Sequence, residues 1–565
     1  MKLHFSRDMI IVSLLCVSNV LANPNDNQER HTSNNDKVRY DYIIVGGGTA
    51  GCILARKLSD DHHNSVLVLE AGGNYVHNPI VLDPDWVDNG GTLLTDPRFA
   101  INYPILMPPL TVHSYSEGHS LGGGATHNFL LAVRGTPSIY NEWAAVTGNS
   151  QWLYTNMLPL MKDLETYTPD GTVANPAERG FSGPISITQN PPLDPISGDY
   201  LSSLSAVTLT PFISDYNDPS LGDIGISAVQ QFITPGAGSH RSFSALEFLS
   251  PVIDANGNGL HGRKLTVITN AQVLDIRINS QKRATSVHYT VQNNEKHEVE
   301  YELIKASLTK NTGILILTAG SINTPKLLLQ SGVGPVADLE AIGLPVVLDS
   351  PNVGQNLQCQ YGGAAILTGN VPFEAEAFID GYPYMPNDGV RRIQIINSPI
   401  GPDLIMALPL ITNPQSRGSV TLVTNNPFID PKVQIGLFTD GAVSTSGTDA
   451  YLQVSFYKII QAAATAAGQT VIYPSPAQYA SDATLLAAAE AMITIQSHAS
   501  GTARMGTNIS NSVLDGNLKV HDLENIYVMD NSAAPETENG NTCSQAYYIA
   551  ERGSIILGAP IPPIL

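Results

Sequence analysis

Tyr40 to Gly73 reads YDYIIVGGGTAGCILARKLSDDHHNSVLVLEAGG, and this stretch decides the fold. Tyr42 to Val45 is a short apolar, β-branched run of the kind that forms a buried parallel strand. Gly46-x-Gly48-x-x-Gly51 follows at once, and Ile53 to Leu58 predicts the helix that packs back on the sheet. Val66 to Leu69 predicts a second strand, ending on Glu70, nineteen residues after Gly51. Gly46 permits the tight turn, Gly48 lets backbone approach a pyrophosphate, and Gly51 lets helix and strand pack closely. The helix start offers free N–H groups and a positive dipole end to phosphates, and Glu70 is placed to accept from a ribose hydroxyl. Strand, loop, helix, strand and acid fall in register, which predicts dinucleotide binding. The motif by itself leaves FAD and NAD both open.

Outward from this unit, length and composition set bounds. At 565 residues, two domains or one large elaborated domain are expected. A hydrophobic fraction of 42% with 14% charged residues describes an ordinary globular chain. The net charge of −21 argues against nucleic-acid partners and against broad electrostatic binding to anionic membranes. Upstream, Lys2 and Arg7 make a basic start, Met9 to Val20 is mostly apolar, and Val20-Leu21-Ala22 suits cleavage. Residues 1–22 therefore read as a signal peptide of an exported protein, secreted or periplasmic, and 23–38 as a polar, disordered leader. No later stretch reaches the length of a membrane span. With Cys16 removed, Cys52, Cys359 and Cys543 remain, without CxxC or metal-ligand spacing. Neither a disulfide framework nor a metal site is expected, and Cys52 reads as a small buried side chain.

Downstream, Asn74 to Gly118 is loop-rich and a candidate lid. Gly118-His-Ser-Leu-Gly-Gly-Gly-Ala-Thr-His127-Asn128 follows, and its three consecutive glycines open a backbone that could lie against a flat ring or a diphosphate. Composition alone equally allows a plain glycine turn. Asn141 to Glu165 has helical spacing, with Trp143, Trp152, Leu158 and Met161 as apolar members. Leu265 to Ile278 predicts one or two strands, and Gly313 to Ala319 a buried one. In Gly320 to Gly334, Pro325 can start a helix and Gly332 can stop it. Short β-rich runs from Ala364 to Asp440 suit an antiparallel sheet covering a pocket. Ala450 to Gly468 and Asp482 to Ile495 are Ala-rich helical stretches. Ile526 to Met529 predicts a strand ending on Asp530, so the chain returns to the first sheet at its end.

Four motifs together resemble the glucose–methanol–choline (GMC) family of FAD oxidoreductases, from about Tyr40 to Leu557. They are GGGTAGCILARKLS with Glu70; the glycine stretch ending in His127-Asn128; Gly320-Ser-x-x-Thr-Pro-x-Leu-Leu-x-x-Ser-Gly-Val-Gly334; and His498-x-x-Gly-Thr-x-Arg-Met-Gly506 with Asp530 and Asn541. The resemblance implies an α/β fold with a discontinuous Rossmann-like FAD-binding domain (39–165, 236–335 and 496–560). The substrate domain (166–235 and 336–495) would be built on an antiparallel sheet roofed by helices. It implies FAD held across Gly46, Gly48, Thr49, Gly51 and Glu70, with Gly122, Gly123, His127 and Asn128 facing the flavin and diphosphate. Val273 would meet the adenine and Asp530 the flavin side. Two departures stand out. His119 replaces the family's usual basic residue, which puts a phosphate or support contact in question. Asn356-Leu-Gln-Cys359-Gln360 replaces Asn-Leu-Gln-Asp-His, which is expected to alter local packing more than chemistry.

Alcohol oxidation by a flavin needs loss of the hydroxyl proton and hydride transfer from carbon to flavin N5; the protein supplies position and a base. A histidine suits the base, and His498 matches the family's catalytic histidine. Asn541 is the best match for the group that holds the substrate oxygen, and a one-residue gap would put Thr542 there. Gly122-Gly-Gly-Ala-Thr-His127-Asn128 is similar to the stretch whose histidine bonds FAD covalently in some members, with Ala125 where serine is usual. The expected activity is oxidation of a primary or secondary alcohol, choline or alcohol dehydrogenase-like, with oxygen or a quinone as acceptor. The alternative is a hydroxynitrile lyase, which shares fold and FAD but typically has histidine at both catalytic positions. A fatty acid decarboxylase is more remote, because its counterpart of His498 is not histidine.

Overall fold

The computed structural model describes residues 38–107, 111–191, 193, 199–291, 303–369, 371, 375–379 and 391–560; the expected signal peptide and all but the last residue of the leader lie outside them. Five short strands form one parallel sheet in the order Leu265–Ile268, Val66–Leu69, Tyr42–Val45, Ile314–Leu317, Ile526–Val528. The three central strands are buried almost throughout, which is why they read as unbroken apolar runs. Tyr42–Val45 has its sequence successor on one side and a strand from mid-chain on the other. The loop after Val45 therefore opens where strand order reverses, the place at which such sheets bind ligands. The helix Thr49–Ser59 buries Ala50, Cys52, Ile53, Leu54, Ala55 and Leu58.

A second, eight-stranded sheet has all its pairings antiparallel and centres on Ile393–Gly401 and Leu404–Ile411. Period two splits its side chains. Ala377, Ile379, Ile393 and Ile395 share a hydrophobic core with Phe456, Ile459 and Ile460 of the helix Asp449–Ala466. Glu376, Phe378 and Gln394 take the opposite face. Segment 166–235 divides between the two cores: Ile185 and Ile187 pack into the core of the parallel sheet, and Leu201, Leu204 and Ile226 into that of the antiparallel sheet.

Several local expectations are corrected. Asn74 to Gly118 holds the helices Pro79–Leu82 and Trp86–Thr95 and a hairpin of Ala100–Met107 with Thr111–Gly118. Tyr103 and Ile105 turn inward while Asn102 and Pro104 face out, so a proline at an exposed position masked the alternation. Asn141 to Glu165 is not one helical run. Pro137–Thr147 and Tyr154–Leu164 are separated at Gly148, whose φ of +65° ends the first, and Glu165 begins a strand. The helix expected to start at Pro325 spans Gly320–Gln330. Proline there cannot bond the Ser321 carbonyl, which instead accepts the Thr502 hydroxyl at 2.7 Å. Cys52, Cys359 and Cys543 are free thiols. Among the described residues no helix is long and apolar enough to cross a membrane, and no cluster suits a metal.

Candidate active site

At the C-terminal end of Tyr42–Val45 the two glycine loops meet. The Gly122 N–H donates to the Gly47 carbonyl at 2.8 Å, and the Thr49 hydroxyl donates to the Gly122 carbonyl at 3.1 Å. A Cβ at Gly51 would stand 2.0 Å from the Gly46 oxygen, and one at Gly123 would stand 2.9 Å from the Gly48 Cα. Only bare backbone allows this approach. The helix Thr49–Ser59 starts from Gly48 without a side-chain cap, so its first N–H groups are offered to a ligand oxygen. Before Gly124 there is open space, since a Cβ there meets nothing within 4 Å. Such a cradle fits a diphosphate-bearing cofactor.

His127 is buried beside this cradle, and its Nδ1 has no hydrogen-bond partner. Burial, aided by the Arg241 guanidinium, lowers its pKa to about 4, so the ring is neutral at neutral pH. Arg241, absent from any motif, donates to the Asn128 Oδ1 at 2.5 Å and to the Asn128 carbonyl at 2.9 Å. Asn128 thus braces the loop through Arg241.

Glu70 accepts the Gly47 N–H at 2.7 Å and the Gly72 N–H at 2.8 Å, bridging the strand ends; burial raises its pKa. A carboxylate so engaged keeps further lone pairs for a ribose hydroxyl. The Glu70 carbonyl accepts the Ala271 N–H at 2.8 Å, which brings Val273, two residues on, to the same end of the sheet. Asp530 accepts the Gly320 N–H at 2.9 Å and the Thr324 hydroxyl at 2.6 Å, tying the last parallel strand to the helix Gly320–Gln330. Near it lies Glu117, which the sequence did not single out; burial and the Asp530 charge lift its pKa to about 8.

His498 stands on a bulge. Tyr361 pairs with Ile495 and Gln358 with Ser500, so the His498 side carries two more residues than its partner strand over this stretch. Bulges re-aim a side chain. The rest of the motif is scaffolding. Ser321 donates to the Ala499 carbonyl at 2.7 Å, and Tyr115 accepts the Ala499 N–H at 3.0 Å. Gly501 has φ +81°, and a Cβ there would meet the Asn356 amide at 2.8 Å. The His498 ring keeps partial exposure, yet burial pushes its pKa down to about 4.

The Nδ1 of His498 lies 2.8 Å from the Oε1 of Gln360. The Nε2 of Gln360 donates to the carbonyls of Thr412, Glu538 and Gly540 at 2.8, 2.9 and 2.9 Å. The two positions of the Cys359-Gln360 departure differ in what they touch. Cys359 stays with packing, its Sγ 2.9 Å from the Gln496 carbonyl. Gln360 is the direct partner of the His498 ring and links it to the turn that carries Asn541. Asn541 is buried, and its Oδ1 accepts from Gln394 Nε2 at 2.9 Å, so it meets the polar face of the antiparallel sheet. Thr542 is tied through its carbonyl to Asn531, at 3.0 Å. Gln360 and Gln394 belong to no motif. The only sequence signal for Gln360 was its departure from the usual text, and Gln394 had none.

Comparison with known proteins gives two matches to the family model described as GMC oxidoreductase, over residues 40–362 and residues 414–550. Pyranose dehydrogenase 2 of Leucoagaricus meleagris is 27% identical over 592 residues, covering 92% of this chain and 93% of that protein. The alcohol dehydrogenase (acceptor) of Pseudomonas putida is 28% identical over 568 residues, covering 92% and 95%. The crystal structure of pyridoxine 4-oxidase from Mesorbium loti superposes with a TM-score of 0.75 at 22% identity, covering 92% of this chain and 99% of that one, a likeness of fold.

Proposed function

The chain belongs to the GMC oxidoreductase family, and from that premise we propose that His498 takes the hydroxyl proton of a primary or secondary alcohol whose oxygen Asn541 holds. As a family member the protein binds FAD and is an oxidoreductase acting on CH–OH donors. One observation carries the residue assignment: the Gln360 amide joins the His498 ring to the Glu538–Gly540 turn, next to Asn541. The half-buried, neutral imidazole is ready to accept a proton. The Asn541 side chain presents a hydrogen-bonding amide from an orientation fixed by Gln394.

Gly46, Gly48, Thr49 and Gly51 would hold the cofactor's diphosphate at the uncapped helix start. Glu70 and Val273 would serve the ribose and adenine end, and Gly122, Gly123, His127, Asn128 and Asp530 the flavin side. FAD, when bound, supplies the acceptor for the hydride that leaves the alcohol carbon. The place of His127, buried beside the glycine cradle with an Nδ1 that has no hydrogen-bond partner, supports it as the ring that would be joined covalently to the cofactor.

The test is an anaerobic panel of primary and secondary alcohols and pyranoses, read as bleaching of the flavin band. His498→Ala should keep its flavin and bleach about 100-fold or more slowly; reduction at the wild-type rate would remove the base role. Readmitting oxygen then separates an oxidase, whose colour returns at once, from an enzyme that needs a quinone. Cleavage of mandelonitrile without bleaching by any alcohol would favour the lyase alternative.

A further inference from the structure

We propose that Gln360 is a positioning residue that selects the tautomer of His498, holding the ring proton on Nδ1 so that the Nε2 lone pair is the group that receives the alcohol proton. This rests on the reading of His498 as the base. The amide of Gln360 has one orientation available. Its Nε2 faces the carbonyls of Thr412, Glu538 and Gly540, and a flip would set Oε1 against those oxygens. Oε1 is an acceptor only, so at 2.8 Å it requires a hydrogen on Nδ1 of the ring. The amide cannot drift, because it is fully buried and anchored to two separate segments of chain. The backbone grips as well, with the Gln496 N–H donating to the Gln360 carbonyl at 3.0 Å.

The titratable and charged groups on the described elements packed around His498 include Cys359, Tyr115, Glu538, Tyr361, whose hydroxyl donates to Asp449, and Arg392, whose guanidinium donates to the Asn539 carbonyl. Cys359 Sγ turns to the Gln496 carbonyl. The Tyr115 hydroxyl takes the Ala499 N–H. The Glu538 carboxyl turns to the Gly135 N–H and the Tyr140 hydroxyl. The ring's partner is thus a neutral amide. A carboxylate at the same distance would favour the imidazolium and keep the base protonated to higher pH.

The test measures the pH dependence of kcat/KM for flavin reduction in holoenzyme carrying Gln360→Glu or Gln360→Met. In Gln360→Glu the acid limb should move up by about one pH unit or more. In Gln360→Met the limb should move down, and the rate should drop about 10–100-fold with flavin content unchanged. An unmoved limb in whichever variants retain flavin overturns the proposal, and a lower rate with the wild-type profile marks a packing role only. His498→Ala is measured alongside. Wild-type reduction in that variant sinks the base reading itself, whereas its loss with an unmoved limb in the Gln360 variants sinks only the positioning role of Gln360.

Discussion

Asn541 and Thr542 sit one position apart and face different partners. The Asn541 amide meets Gln394 from the antiparallel sheet, and the Thr542 carbonyl meets Asn531, just after the last parallel strand. Asn541→Ala should lower kcat/KM for flavin reduction by about 100-fold, within the range for lost oxygen-holding donors, and Thr542→Ala should change it by no more than a few-fold. The reverse ranking would move the role by one residue. His127 gives a second residue-scale expectation. Acid-precipitated protein should keep its yellow colour, and His127→Ala should release it. Colour lost entirely to the supernatant of the wild type would show the cofactor to be held without a bond.

Among the elements, the motifs near Gly320 and His498 prove to be two sides of one seam. Ser321 donates to Ala499, Thr502 donates to the Ser321 carbonyl, and Asp530 closes the start of the helix Gly320–Gln330. Pro325 creates the need for Thr502, since it leaves the Ser321 carbonyl without its helical partner. Thr502→Val keeps the side chain's shape but orphans that carbonyl, and should cost about 1–3 kcal/mol. Chemical denaturation should show the loss, and flavin reduction should slow as the His498 segment loosens. An unchanged midpoint would mean that water or another donor replaces the hydroxyl. The seam was half legible in the sequence. Pro325 and Gly332 marked a helix start and stop, but not that the helix's partner lay in the segment around Ala499 and Thr502.

For the molecule as a whole, buried ionisable groups set the pH range of stability. His127 and His498 have pKa values near 4 in the fold against 6.5 when free. The unfolded chain therefore binds more protons between those values, and stability is lost as pH falls from about 6.5 to 4. Glu117 and Glu538 have the opposite sign. Burial lifts them to about 8 and about 7 from 4.5, so the folded chain holds their protons longer and stability falls as pH rises across that window. The net charge of −21 adds repulsion on the alkaline side. The thermal midpoint should peak between about pH 5 and 6.5 and fall on both sides; a midpoint still rising at pH 8 would contradict this balance.

From its residues alone the chain was bound to form the buried strands of the parallel sheet and the glycine cradle. Apolar runs such as Val66 to Leu69 and the demands on Gly46 and Gly51 are local properties that neighbours in sequence express. Tertiary structure decided that Gln360 meets His498 across 138 positions, that Gln394 orients Asn541, and that Tyr103 and Ile105 join the second core. Those contacts depend on strand register and on the two-residue bulge around His498, and a one-residue shift of register would turn Gln394, Tyr103 and Ile105 to the other face of their strands.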